Sequence, residues 1–278
     1  MRKFVLLGVF SMAAVPIWAA DSAAKAPTPT APSVSPEEII RKFAAKEAEF
    51  AEARSNYTYR QTVKLLELDA GGAPTGGKWE IVEDIIFSPE GKRTSRVVYA
   101  PVISLRNLIL TPSDEQDLRD VQPFVLTTKE IPEYDIQYLG KQNADEIPCY
   151  VFAVKPKKMV QGKRYFEGQI WVDDRDLQIV KTYGKGVGVR HGDEQFPRFE
   201  TYREQIDGKY WFPTYTRADD VLHFKDMNQR VKMTVKYENY KKFEGRSTIK
   251  FGDVVDDKGN PTGKPSTPPA TAPNPPKK

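Results

Sequence analysis

The stretch 229–243 alternates apolar and polar residues. Val231, Met233, Val235 and Tyr237 fall on one side of an extended chain, and Arg230, Lys232, Thr234, Lys236 and Glu238 on the other. A strand sends successive side chains to opposite faces, so this segment reads as a sheet strand with one apolar and one wet face. Upstream, 165–173, 177–183, 196–206 and 210–220 read as strands too, giving a long antiparallel meander. The apolar face of such a sheet must be covered by helices or filled by a ligand. Aromatic residues make up 11% of the chain, with 13 Tyr and 14 Phe, and favour the same β architecture.

The region before the meander carries the covering elements. Ser35-Pro36-Glu37-Glu38 is a helix start: Ser35 caps, Pro36 suits the first turn and Glu38 completes a capping box. The spacing predicts a helix to about Arg54 with an apolar stripe of Ile39, Ile40, Phe43, Ala44, Phe50 and Ala51, interrupted by Glu47. From Asn56 the period becomes two, with Tyr57, Tyr59, Gln61, Val63 and Leu65 on one face. A Gly/Pro-rich loop at 70–77, a strand at 79–88, a turn at Pro89-Glu90-Gly91 and a strand at 94–99 complete a three-stranded meander. The stretch 102–125 is apolar without strict alternation and predicts two short helices, the second starting at Thr111-Pro112-Ser113-Asp114-Glu115 and ending before Pro123. Strands at 134–139 and 147–154 and a basic loop at 155–163 lead into the long meander.

The ends have a different character. Residues 1–20 read as a secretory signal peptide, with Arg2 and Lys3 ahead of an apolar core from Phe4 to Ile17 and a cleavable end at Ile17-Trp18-Ala19. Residues 21–34 read as a disordered linker, 35–245 as the folded domain and 246–278 as a flexible Pro-rich tail. The expected location is therefore the periplasm, reached by export. Net charge is +4, a near-balance that lacks the clustered excess of a nucleic-acid footprint.

Motifs for bond-making chemistry are missing. There is one cysteine, Cys149, inside an apolar strand, and two histidines, His191 and His223, without zinc-ligand spacing. No G-x-S-x-G elbow occurs. Gly184-Lys185-Gly186-Val187-Gly188 reads as a bulge or loose hairpin loop rather than a phosphate cradle. Asp173, Asp174 and Asp176 have oxygens suited to calcium, but loops of this composition usually just turn. The chain is accordingly read as non-enzymatic, without metal or cofactor.

Two segments carry a family resemblance. They are Gly168-Gln169-Ile170-Trp171-Val172-Asp173 through Leu177-Gln178-Ile179-Val180-Lys181, a strand, acidic turn and strand, and Phe199-Glu200 followed by Gly208-Lys209-Tyr210-Trp211-Phe212-Pro213. With the order of elements over roughly 36–245, they resemble the LolA/LolB-like periplasmic lipoprotein-carrier family of outer-membrane lipoprotein-sorting proteins. The resemblance implies an α+β fold: a curved antiparallel β half-barrel covered by a leading amphipathic helix and short inserted helices. It also implies an apolar hollow for lipid or lipoprotein acyl chains. The strand periods nominate Ile85, Phe87, Ile170, Val172, Val231, Met233 and Val235 as its lining, against the plainer reading that these side chains form an ordinary core. A monomer is expected, with a possible envelope protein partner. The second reading is a non-catalytic envelope sensor or scaffold that uses the same fold for protein contacts.

Overall fold

A computed structural model describes residues 34–87, 92–120, 123–189 and 195–242, without the side chains of Gln116, Arg119 and Asp120. The predicted signal peptide, most of the linker, the Pro89–Gly91 turn, His191 and the C-terminal tail lie outside the described residues. Helix α1 (Pro36–Arg54) leads. Strands β1 (Tyr57–Leu68), β2 (Pro74–Phe87) and β3 (Arg93–Tyr99) follow, then a strap at 100–111 and helix α2 (Pro112–Asp120). After a 3-10 turn at Ile131–Glu133 come β4 (Tyr134–Ala144), β5 (Ile147–Pro156), β6 (Arg164–Asp173) and β7 (Ile179–Gly188). The last three are β8 (Phe199–Ile206), β9 (Tyr210–His223) and β10 (Asn228–Lys242).

All ten strands join one antiparallel sheet in the order β3-β2-β1-β10-β9-β8-β7-β6-β5-β4. The chain starts its sheet in the middle: β1 pairs with the final strand, β10, through the register Val63↔Val235 and Leu65↔Met233. The edges β3 and β4 do not meet, so the curved sheet is a half-barrel and not a closed one. The alternation in β10 has the predicted sense, with Val231, Met233, Val235 and Tyr237 buried on the concave side.

Helix α1 starts where its cap predicts, with the Glu38 amide donating to Ser35 Oγ at 3.2 Å. It lies in the concave face. The Phe43 ring is 5.6 Å from that of Phe152 on β5, and the Phe50 ring is 5.1 Å from that of Phe212 on β9. Glu47, the interruption in the stripe, is fully buried with the stripe. Arg203 on β8 donates to both of its carboxylate oxygens at 3.2 Å, and the Ile179 amide of β7 donates to Oε1 at 3.2 Å. Arg203 also donates to the Phe124 carbonyl and lies over the Phe50 ring. Burial pushes the Glu47 carboxyl pKa up, and Arg203 and the Ile179 amide oppose that shift.

Two local readings are corrected. The glycine run is neither bulge nor loop: Gly184, Gly186 and Gly188 sit in the paired strand β7. A Cβ on Gly184 would lie 2.6 Å from the Phe166 ring, and one on Gly186 would lie 3.0 Å from Asp117 Oδ1. These glycines make room for an aromatic ring and for α2. The inserted region holds one α-helix and the 3-10 turn, while 102–110 is irregular, with a bend at Arg106 and Asn107, and not helical. Pro101 and the β-branched Val102 and Ile103 disfavour a helix there, and Ser104 bonds the β2 backbone at Lys78 and Gly76 instead.

The acidic turn behaves as a turn. Asp173 Oδ1 accepts the Arg175 and Asp176 amides at 2.6 and 2.9 Å, and Leu177 leaves the ladder with φ 53°. Cys149 is buried on β5, and burial pushes its thiol pKa up to about 11, away from thiolate chemistry.

Removing one partner of the buried pair leaves a charge without compensation. Glu47→Ala should cost about 3–5 kcal/mol in urea unfolding. The double variant Glu47→Met with Arg203→Met should cost less than the sum of the two single variants, which a double-mutant cycle measures. On the convex face Asp84 joins Arg60 of β1 and Arg96 of β3, both at 2.8 Å. The Arg60 hydrogen bond, with Arg96, holds its carboxyl at about 2 against an ordinary 3.8. A depressed carboxylate stabilises above the unfolded value and loses that contribution as pH falls through the folded one. Asp84→Asn should therefore be less stable than wild type at neutral pH, with the gap closing between about pH 4 and pH 2 in thermal melts.

Candidate ligand cavity

The inward side chains of β2, β1 and β10 meet in register at one end of the sheet. Trp79 lies opposite Leu65, and Leu65 opposite Met233, forming a floor three strands wide. Val231 extends the floor along β10, and Leu222 of β9 and Phe224 just beyond it continue the floor. Leu118 of α2 and Leu108 and Leu110 of the strap form one wall; Phe196 and Pro197 form the other. The space between them is about 410 Å³ and opens to solvent. No residue of α1 lines it.

The strap is held by a carboxylate that sequence reasoning missed. Glu67 follows Val63 and Leu65 in the same period-two phase of β1, so it points inward and is fully buried. Successive amides of the strap donate to it: Arg106 at 3.0 and 3.1 Å, Asn107 at 2.8 Å and Leu108 at 2.9 Å. Three converging N–H groups form an anion-binding nest, filled here by the protein's own side chain. A Cβ on Gly77 would collide with that carboxylate at 2.0 Å, so the glycine gives Glu67 its room.

Most polar groups lining the cavity are turned to internal partners, and the Asp226 carboxylate at the β9–β10 turn is exposed to solvent. Asn107 donates to Gln229 Oε1 at 2.7 Å, and Gln229 in turn donates to the Leu68 carbonyl. Asp114 accepts from the Thr111 amide and hydroxyl at 2.8 and 2.9 Å, and its own amide donates to Thr111 Oγ1, a capping box with Thr111 as the cap of α2. Gln195 accepts the His223 amide at 2.7 Å and donates to the His223 carbonyl, fastening the Phe196 wall to the β9–β10 hairpin. The surface left facing the space is mostly hydrocarbon.

Of the seven residues nominated for the lining, Val231 and Met233 face this cavity. Ile85, Ile170, Val172 and Val235 are fully buried in the main core, and Phe87 is half-buried against it. β6, which carries Ile170 and Val172, lies four strands from β10, in the part of the sheet bridged by α1. Leu65, Trp79, Leu222 and Phe224 were missed, although the inward phase of β1 already singled out Leu65. The basic loop is tied back: Lys163 pairs with Glu133 at 2.6 Å, and Lys157 donates to the Pro132 carbonyl. Among the described residues no cluster of three metal-ligating side chains occurs, and no helix is long and apolar enough to cross a membrane.

No protein-family model matches the chain, and neither does any curated protein. Solved structures similar to it include the LolA superfamily protein NE2245 from Nitrosomonas europaea, at 12% identity and a TM-score of 0.34, over 78% of this chain and 97% of that one. A chain of the Pseudomonas aeruginosa MucA/MucB complex matches at 13% identity and a TM-score of 0.22, over 72% of this chain and 100% of that one. A structure of MucB matches at 11% identity and a TM-score of 0.25, over 73% of this chain and 92% of that one. At these TM-scores the likeness assigns neither family nor function, and the reading of the cavity rests on this chain's own geometry.

Glu67→Ala should free three amides and release the strap. Protection of the 106–108 amides from hydrogen exchange should collapse, with a stability loss of about 1–3 kcal/mol. Unchanged protection at 106–108 would show that other contacts hold the strap.

Proposed function

We propose that this protein is an exported, non-catalytic binding protein that takes an acyl chain of a lipid or lipoprotein into the cavity beside β10. The observation that carries the reading is the cavity: about 410 Å³, floored by Leu65, Trp79 and Met233, its polar lining residues largely bonded elsewhere. The volume falls within the roughly 300–1,000 Å³ of small-molecule sites. A hydrocarbon chain entering it gains ~0.8 kcal/mol per buried CH2 and needs no polar contact to do so. Met233 is unbranched and polarisable, suited to a wall that must fit a flexible chain.

The remaining nominated residues take a supporting part in this reading. Ile85, Ile170, Val172 and Val235 pack the core that holds the floor in place, and Phe87 packs at its margin. Export rests on the N-terminal pattern of Arg2, Lys3 and the apolar run to Ile17, which supports a periplasmic location. Delivery to the outer membrane is the role that the sequence resemblance suggests for a carrier of this kind.

The test is titration with dansyl-labelled undecanoic acid, whose emission rises when the dye leaves water. Wild type should bind and quench on competition with unlabelled fatty acid. Met233→Arg puts a charge on the floor and should weaken binding at least about tenfold, in keeping with the cost of a buried unpaired charge. Met233→Trp, which fills the space without charging it, should weaken it too while keeping the thermal melt cooperative. A wild type that does not take up the probe, or two variants that bind it as well as wild type, would overturn the reading.

A further inference from the structure

We propose that the free sheet edge formed by β3 and the strap is a docking surface for an anionic lipid bilayer. Among the described residues, β3 pairs with β2 on one side and with no strand on the other. Such edges are normally covered, shortened or charged, because their free amides and carbonyls invite company. This one instead displays hydrocarbon. Val97, Val98, Tyr99, Val102, Ile103 and Ile109 are all exposed, Val102 and Ile109 to 90% and 88% of their surfaces. Val97 to Ile103 follow one another along a single rim, since Ser104 bonds the β2 backbone at Lys78 and extends the line begun by β3; Ile109 lies beyond the bend at Arg106 and Asn107, at the cavity. Val98 is the extra residue of a bulge between the pairs Val82↔Tyr99 and Glu83↔Val97, so it adds exposed hydrocarbon beside Val97 and Tyr99.

Charge selects among the occupants. Residues 92–111 contain Lys92, Arg93, Arg96 and Arg106 and no acidic residue. The acids of neighbouring β2 are engaged: Glu80 with Lys64, Asp84 with Arg60 and Arg96, and Glu83 with the Ser95 hydroxyl. Edge pairing between two copies would set the arginines of one β3 against those of the other, which disfavours self-association. Arg96 is shared with Asp84 and Arg93 donates to Gln61, but the segment stays net basic: an anionic headgroup layer meets it, led by the exposed Arg106, and the aliphatic residues enter the region below, with Tyr99 suited to the boundary. The rim is also continuous with the cavity, because the same strap supplies Leu108 and Leu110 to its wall. Docking would bring the cavity mouth to the membrane. The proposal extends the acyl-carrier reading and does not depend on it.

The experiment is co-sedimentation of the exported chain, purified from its host with its N terminus fixed by mass spectrometry. Vesicles of phosphatidylcholine alone are compared with vesicles that also contain phosphatidylglycerol. Binding is expected to the anionic vesicles only, and raised salt should release it. Val102→Ser with Ile103→Ser lies outside the cavity lining and should weaken binding about tenfold while dansyl-undecanoate uptake stays at the wild-type level. Arg106→Gln leaves the backbone bond to Glu67 in place and should weaken it roughly fivefold. Equal binding to both vesicle types, no binding to either, or full binding by the double variant would overturn the proposal. Loss of a protein partner by the double variant, with no vesicle binding by wild type, would make the edge a protein interface instead. Vesicle binding without probe uptake would sink the acyl-carrier reading and leave this one standing; probe uptake without vesicle binding would do the reverse.

Discussion

A half-barrel of this length has more concave face than one helix can fill, and the Glu47–Arg203 pair decides which part is filled. The pair is fully buried, so each charge depends on the other and on the added bond from the Ile179 amide. With that pair in place, α1 sets Phe43 on β5 and Phe50 on β9. The aromatic packing follows from the anchor: Phe50, Tyr57 and Phe212 close one cluster, and Arg203 lies over Phe50. The end of the sheet where β2, β1 and β10 meet receives no α1 side chain among the cavity walls, and there a space remains.

That space persists because its walls are fastened independently of its contents. Glu67 grips the strap through three amides, Asp114 and Thr111 close a capping box at the start of α2, and Gln195 clips the Phe196 segment to the hairpin. Each fastener is a polar group in an apolar setting, where an unpaired group would be costly. The pairs therefore hold shape without offering spare hydrogen bonds to a ligand. A polar molecule entering would lose water and find little in return; a hydrocarbon chain loses nothing of the kind.

Much of the fold was legible in the sequence. The Ser35 cap and the stripe from Ile39 to Phe50 set the limits of α1, and the alternation in β10 gave its inward residues correctly. Local periodicity carries that information because it reflects one chain meeting one interface. The pairing of β1 with β10, which sets the floor of the cavity, joins residues far apart in sequence and leaves no local trace. For the same reason four of the seven nominated lining residues, Ile85, Ile170, Val172 and Val235, sit in packed core: facing was readable, but which stretch of the face α1 occupies was not. The strap escaped because its conformation is imposed by Glu67 from another strand. A signal for both anchors was present all the same. Glu47 and Glu67 fall in phase with apolar neighbours, and a charged residue in that phase marks a buried partner.

The central claim is that the unfilled end of the sheet is a hydrocarbon site. Native mass spectrometry of the protein purified from its own host, followed by lipid extraction, tests it most directly. The account predicts a bound species of lipid or acylated-peptide mass that is lost from Met233→Arg. A wild-type protein that flies without any adduct, in a preparation where its dansyl-undecanoate site is also silent, would contradict it.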